Sequence, residues 1–411
     1  VRRRTALGTI GSIALAGCLS FEPEDTPEAG GANDTGAQTT SSASDTPTAT
    51  DSPTPTETER PVPNSVSLRS AWQRTFASEY DLHVDGGVLY TPFRGGAGEP
   101  EGIRAVAAGS GETRWTADLG TSPSILYATT AGNRLYLTAD ERLFAVDTET
   151  GSVAATMELG DTRGAPAVVG DTLVVGTTFE DENTLYGLDP ATLEERWRVG
   201  HRLELDNGRY APSGFDGAVS AAGLAVSAYR NGRLSAYDPA TGDERWVTEF
   251  VTAGPEYGPY VDGAGGVVAV DSERRVVASL DPETGETVWE FTFQTRTGEL
   301  PPVARPTFVD GIGFLGVERH LFAFDVETGE RRWHVSLEEQ VTDGRLGVTN
   351  DTVWAVTGEG TLQGYDRDGG DRQYRDPDPP LAGDLVGDGS ALLVSSRSSL
   401  GRFEVSEEDG S

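Results

Sequence analysis

The sequence predicts an all-β chain, an eight-bladed β-propeller of four-stranded blades whose ring is closed by an N-terminal Trp strand on the last blade. Three observations predict it. A strand-and-turn unit recurs at spacings of 40, 42, 49, 43, 44, 41 and 38 residues. Its anchor is an acid at Asp147, Asp189, Asp238, Asp281, Asp325, Asp366 and Glu404, with Ala107 in its place in the first copy. Eight residues after the anchor stands a Trp in five copies. A β period near forty residues is what a ring of blades requires, because one small sheet cannot cover both of its faces alone.

The residues around the anchor give the reason for each element. Four positions before it an aliphatic side chain stands in all eight copies, from Ile103 and Leu143 to Leu400, and one position before it a large apolar one, from Val106 to Phe403. These lie on opposite faces of a strand, so both faces are buried. Two positions before the anchor the residue is small, as at Ala105, Gly187, Ala236 and Ala323, with Arg402 the one departure. A small residue flanked by large ones implies a bulky partner. Trp115, Trp197, Trp246, Trp289 and Trp333 are that partner, each expected to dock on a small-residue patch of an adjoining blade. Tyr374 substitutes in blade seven, and Ala155 leaves the place open in blade two, which predicts a weaker junction there. Between anchor and Trp, Asp-Pro-x-Thr-Gly makes a hairpin turn: the carboxylate accepts local N–H groups and Gly takes the left-handed position. The last copy has no Trp strand after it, and the strand around Trp72 has no anchor before it. Trp72 is therefore expected to complete the eighth blade and remove the open edges.

Residues 1–18 read as a secretion signal: the basic cluster Arg2-Arg3-Arg4, an apolar stretch too short to span a bilayer, and the lipobox Leu15-Ala16-Gly17-Cys18, with Cys18 the lipid attachment site. The arginines resemble a twin-arginine signal, which exports folded protein. Residues 19–65, rich in Thr, Ser, Pro, Asp and Glu, cannot bury enough surface to offset chain entropy and are expected to form a disordered tether. The propeller is expected over 66–408. Asn33 and Asn350 head possible N-glycosylation sequons. The location expected is the extracytoplasmic face of the cell membrane.

The formal net charge is −34, all 32 basic residues are Arg, and the acids are spread through every segment. Such a surface excludes nucleic acid as a partner and fits a salt-adapted protein, expected to be a haloarchaeal lipoprotein. The single Cys excludes an intrachain disulfide, and His83, His201, His320 and His334 match no metal-ligand spacing.

The pattern Ala-x-Asp-x-x-x-Gly-x-x-x-Trp, complete at Ala236–Trp246 and Ala323–Trp333, resembles the pyrroloquinoline-quinone-like propeller repeat. With a lipobox and a tether, the arrangement is similar to the lipid-anchored propeller of the bacterial outer-membrane-assembly machinery. Dehydrogenases of this repeat family carry an adjacent Cys pair against their quinone; here the only Cys is Cys18. The expectation is thus no cofactor, no metal and no catalysis, but a monomeric scaffold that binds a protein or glycan at the cell surface. A quinone-dependent dehydrogenase and a structural envelope component are the alternatives. The candidate binding face is the one with the longest insertions, where Tyr210, Phe215, Tyr257 and Tyr260 offer aromatic contacts and Arg142, Arg230, Arg233, Arg275 and Arg319 offer cations.

Overall fold

The computed structural model describes residues 64–75, 82–94, 100–121, 127–162, 164–178, 183–201, 203–204, 210–211, 215–229, 233–250, 258–262, 265–271, 274–293, 303–342, 344–358, 360–396 and 398–407. Cys18, Asn33, the signal and the tether lie outside them. The described residues form eight four-stranded antiparallel sheets and one short hairpin, Leu203–Glu204 with Tyr210–Ala211, and contain no helix. Seven sheets use four strands consecutive in the chain, beginning with His83–Asp85 to Thr113–Asp118 and ending with Gly347–Val348 to Arg372–Asp376. The eighth is composite. Leu385–Asp388, Ala391–Ser396 and Ser399–Glu407 are completed by Val66–Thr75, paired from Val66 opposite Glu407 to Thr75 opposite Ser399. The chain is an eight-bladed β-propeller, closed as the Trp72 strand predicts.

Burial orders the blade from inside to outside. Second and third strands are buried on both faces, as in Ile312–Val317 and His320–Asp325, whereas fourth strands such as Arg331–Ser336 alternate exposed and buried residues. First strands of successive blades touch one another, so they line the axis.

The turn chemistry repeats with little change. In blade five the Asp281 Oδ1 accepts the N–H groups of Glu283 and Thr284, both at 2.9 Å, and the Thr284 hydroxyl at 3.1 Å. Each such donor favours the ionised carboxylate. Asp189 is held down at about 2, chiefly by the Arg196 guanidinium and then by the Thr192 and Ala191 amides.

The Trp contacts correct one expectation. The small residue two before the anchor belongs to the same blade as its Trp: Ala236 pairs directly with Trp246, and Gly187 with Trp197, beside a bulge that follows at once. The adjoining blade supplies its turn instead. Trp72, Trp115, Trp197, Trp246, Trp289 and Trp333 each donate Nε1–H to the carbonyl one past the next anchor, namely Ala108, Thr148, Pro239, Pro282, Val326 and Arg367, at 2.7–3.0 Å. Each indole covers the turn glycine, where a Cβ would come within 2.5–2.9 Å of the ring. Glycine is required twice over, by this contact and by φ values of 70–78°.

The place left open by Ala155 is filled. Blade three has Leu193 where its neighbours have the turn glycine; Leu193 adopts φ 61° and is 3% exposed, packed with Tyr136, Leu143, Leu173 and Leu188 beside Ala155. The Tyr136 hydroxyl donates to the Pro190 carbonyl at 2.9 Å, the equivalent of the carbonyl an indole would reach. Leucine and phenol replace glycine and indole, so this junction is not the gap that the missing Trp implied.

Candidate functional site

Antiparallel blades sort their connections onto two faces. Turns between first and second strands, and between anchor and Trp, share one face. Connections from each Trp strand to the next blade, and loops between second and third strands, share the other. The chain joins the ring on the turn face, where the Ser65 N–H donates to the Gln373 carbonyl at 2.8 Å and the Arg375 N–H to Asn64 Oδ1 at 2.9 Å. Exposed Asn350 lies on that face too, beside Val66 and Glu407 in the wall of a cavity of about 310 Å³.

Most residues expected on the loop face are there, but in separate blades. Arg142, Arg233, Arg275 and Arg319 stand at or just before the third strands of blades two, four, five and six. Their surroundings explain them locally. Arg142 lies 5.1 Å over the Phe144 ring and 3.8 Å from Asp140; Arg233 pairs with Glu244; the Arg275 and Arg319 carbonyls accept the N–H groups of Phe293 and Leu337 at 3.0 and 2.7 Å. Tyr257, Arg230 and the side chain of Tyr210 lie outside the described residues. Phe215 is a correction. It is fully buried, wedged against Gly176 of blade three and 5.9 Å from the Tyr229 ring, because its register places it in the wall between blades three and four.

Tyr260 joins a group that the sequence reading missed. At the axis a cavity of about 280 Å³ is lined by Tyr260 of blade five, Arg305 and Phe308 of blade six, Arg345 and Val348 of blade seven, and Val386 of blade eight. Arg305 and Arg345 are opposite one another across a parallel bridge, tied by the Arg305 N–H to the Gly344 carbonyl at 3.1 Å. The carboxylate of Asp384 accepts the Arg345 backbone N–H at 2.9 Å. His83, first residue of the first strand of blade one, has Nε2 3.2 Å from the Thr130 hydroxyl of blade two and its ring 5.9 Å from Tyr90. Burial, and then the charge of Arg345, lower its pKa from 6.5 to about 4, against the opposing pull of Asp85.

This shift carries a stability prediction. Between about pH 4 and 6.5 the unfolded chain protonates this His and the folded one does not, so folding stability is full above 6.5 and falls as pH drops towards 4. The shift corresponds to about 3 kcal/mol. Urea unfolding from pH 7 to pH 4 should show this slope in the wild type, and His83→Phe should flatten it; equal slopes would remove His83 from the account.

Residues 100–257, 206–298 and 272–402 match the family model described as outer membrane protein assembly factor BamB. Two solved dehydrogenase structures share the fold. A europium-containing methanol dehydrogenase is 13% identical with a TM-score of 0.59, over 82% of this chain and 93% of that one. A quinohemoprotein alcohol dehydrogenase from Comamonas testosteroni is 14% identical with a TM-score of 0.58, over 83% and 76%. BamB from Moraxella catarrhalis is 13% identical with a TM-score of 0.47, over 82% and 100%. A search of curated protein sequences finds no match. Among the described residues no three His, Cys, Asp or Glu gather to hold a metal ion, and the sequence has a single cysteine, Cys18. With eight blades of the repeat in place and the family model matched from residue 100 to residue 402, the chain belongs to the family of the outer membrane protein assembly factor BamB.

Proposed function

We propose that the protein is a non-catalytic scaffold, lipid-anchored at the extracytoplasmic face of the membrane, that binds a protein or glycan partner through its loop face. The observation that carries this reading is the sorting of the connections. The longest connection in the repeat series joins the fourth strand of blade three, which ends at His201, to the first strand of blade four, which begins at Phe215, and both of these strand ends are on the loop face; rigid scaffolds commonly recognise partners through such loops. Membership in the BamB family supports an envelope scaffold.

The test is crosslinking in intact cells with the wild type and with a variant that has 201–217 shortened and Tyr257→Ser. A defined partner captured by the wild type and lost from the folded variant is the expected result. Undiminished capture would move the site to the turn face. Dye-linked oxidation of an alcohol or sugar after addition of quinone and calcium would replace the scaffold reading with an enzymatic one.

A further inference from the structure

We propose that His320 and His334 of blade six form a two-imidazole site for a divalent transition-metal ion of square-planar preference, with Cu(II) the ion of best fit. This goes beyond the scaffold reading and does not depend on it.

The chain has four histidines in 411 residues, and the fold brings two of them into contact. They stand 14 positions apart, a spacing along the chain that matches no metal-ligand pattern. Strand register gathers them. His320 pairs with Ser336 and Phe322 with His334 across the third and fourth strands, so the two imidazoles are diagonal neighbours on one face of a hairpin. His320 Nδ1 is 2.9 Å from His334 Nε2. The paired backbone sets this spacing, and a third side chain orients the rings. The His334 ring is stacked on the buried Phe322 ring, with 4.7 Å between centroids and 12° between planes, and the His320 ring is 6.0 Å from it.

The separation selects the metal. Two nitrogens in adjacent positions at right angles, with bonds of about 2.0 Å, lie about 2.8 Å apart, whereas a tetrahedral ion spreads them to about 3.3 Å. At 2.9 Å the pair matches the first geometry. Imidazole suits Cu(II), which also stands at the top of the general order of divalent affinities. Each ring would keep its proton on the nitrogen turned away from the metal. Burial, and then the charges of His320 and Arg331, lower the His334 pKa from 6.5, so this imidazole is neutral at pH 7, the form that ligates. His334 is exposed and His320 half-buried, so an ion reaches the pair from solvent. With no third His, Cys, Asp or Glu gathered there among the described residues, water would complete the coordination.

The experiment titrates the purified full chain, free of any histidine tag, with copper(II) chloride at high salt and in excess Mg(II), which occupies surface carboxylates. A Cys18→Ser background removes the thiol as a competing ligand. Electron paramagnetic resonance reads the nitrogen coupling, and visible absorption reads the affinity. One equivalent of Cu(II) should bind with coupling to two nitrogens. His320→Gln and His334→Gln should each weaken that binding at least about tenfold, since each removes one of two ligands. His83→Gln and His201→Gln should leave it unchanged, and Zn(II) should compete at least about tenfold more weakly. Unfolding midpoints without metal verify that each variant is folded. Copper held by carboxylates alone, without nitrogen coupling, would overturn the proposal. So would wild-type affinity in a folded His320→Gln or His334→Gln variant, loss of the site in His83→Gln or His201→Gln, or Zn(II) binding as tightly as Cu(II).

Discussion

Replacing Trp246 with alanine is expected to cost about 3–5 kcal/mol of folding stability, the range for loss of a buried large aromatic. The indole is 8% exposed. It lies across from Ala236 on its own blade and over Gly285 of the next, and it donates to the Pro282 carbonyl at 2.9 Å. Alanine would lose the area on both sides, leave a cavity at a junction between two sheets, and strip that carbonyl of its donor. Trp246→Phe separates these contributions. Phenylalanine keeps most of the stacking and loses the hydrogen bond, so it should cost more than about 1 kcal/mol and less than alanine. Urea unfolding at constant high salt measures both. An alanine variant within about 1 kcal/mol of the wild type would mean that blade junctions do not depend on these indoles.

The second large effect concerns the junction built without Trp. Leu193→Gly should cost about 2–5 kcal/mol for the cavity it opens, partly offset by about 1 kcal/mol from relief of the left-handed backbone. Ala155→Trp alone should cost about 1–3 kcal/mol, because the indole meets the Leu193 side chain already there. The double variant recreates the glycine–indole pair of the other junctions and should recover most of both losses, a coupling on the order of 2–3 kcal/mol. Simple additivity of the two single changes would show that the pair does not share one space. Hydrogen exchange offers an independent check, since the wild-type junction between blades two and three should be protected to the same degree as its neighbours.

What was legible in the chain follows from the range of each interaction. The anchor, its turn and its Trp lie within one hairpin, so a period near forty residues reports blade number, and the unpaired Trp72 strand reports closure. Phe215 shows where this reading stops. An aromatic residue after a long loop looks like a surface contact, yet its burial is decided by Gly176 of the preceding blade. The compensation of Ala155 by Leu193 was also hidden, because each residue alone reads as a lapse in the repeat.

The sequence by itself determined the architecture: eight blades, the strand that closes them, the turn chemistry, and the acidic composition. These rest on local pairing and on composition, which a single chain displays directly. Only the tertiary structure decided that the adjoining blade's turn, rather than its small strand residue, receives each indole, and that Tyr260, Arg305 and Arg345 line one axial cavity. First strands as short as Tyr260–Val261 and Gly347–Val348 carry too few residues for an alternation to show. Their side chains are gathered by the closure of the ring, which brings residues more than one hundred positions apart in the chain around one cavity.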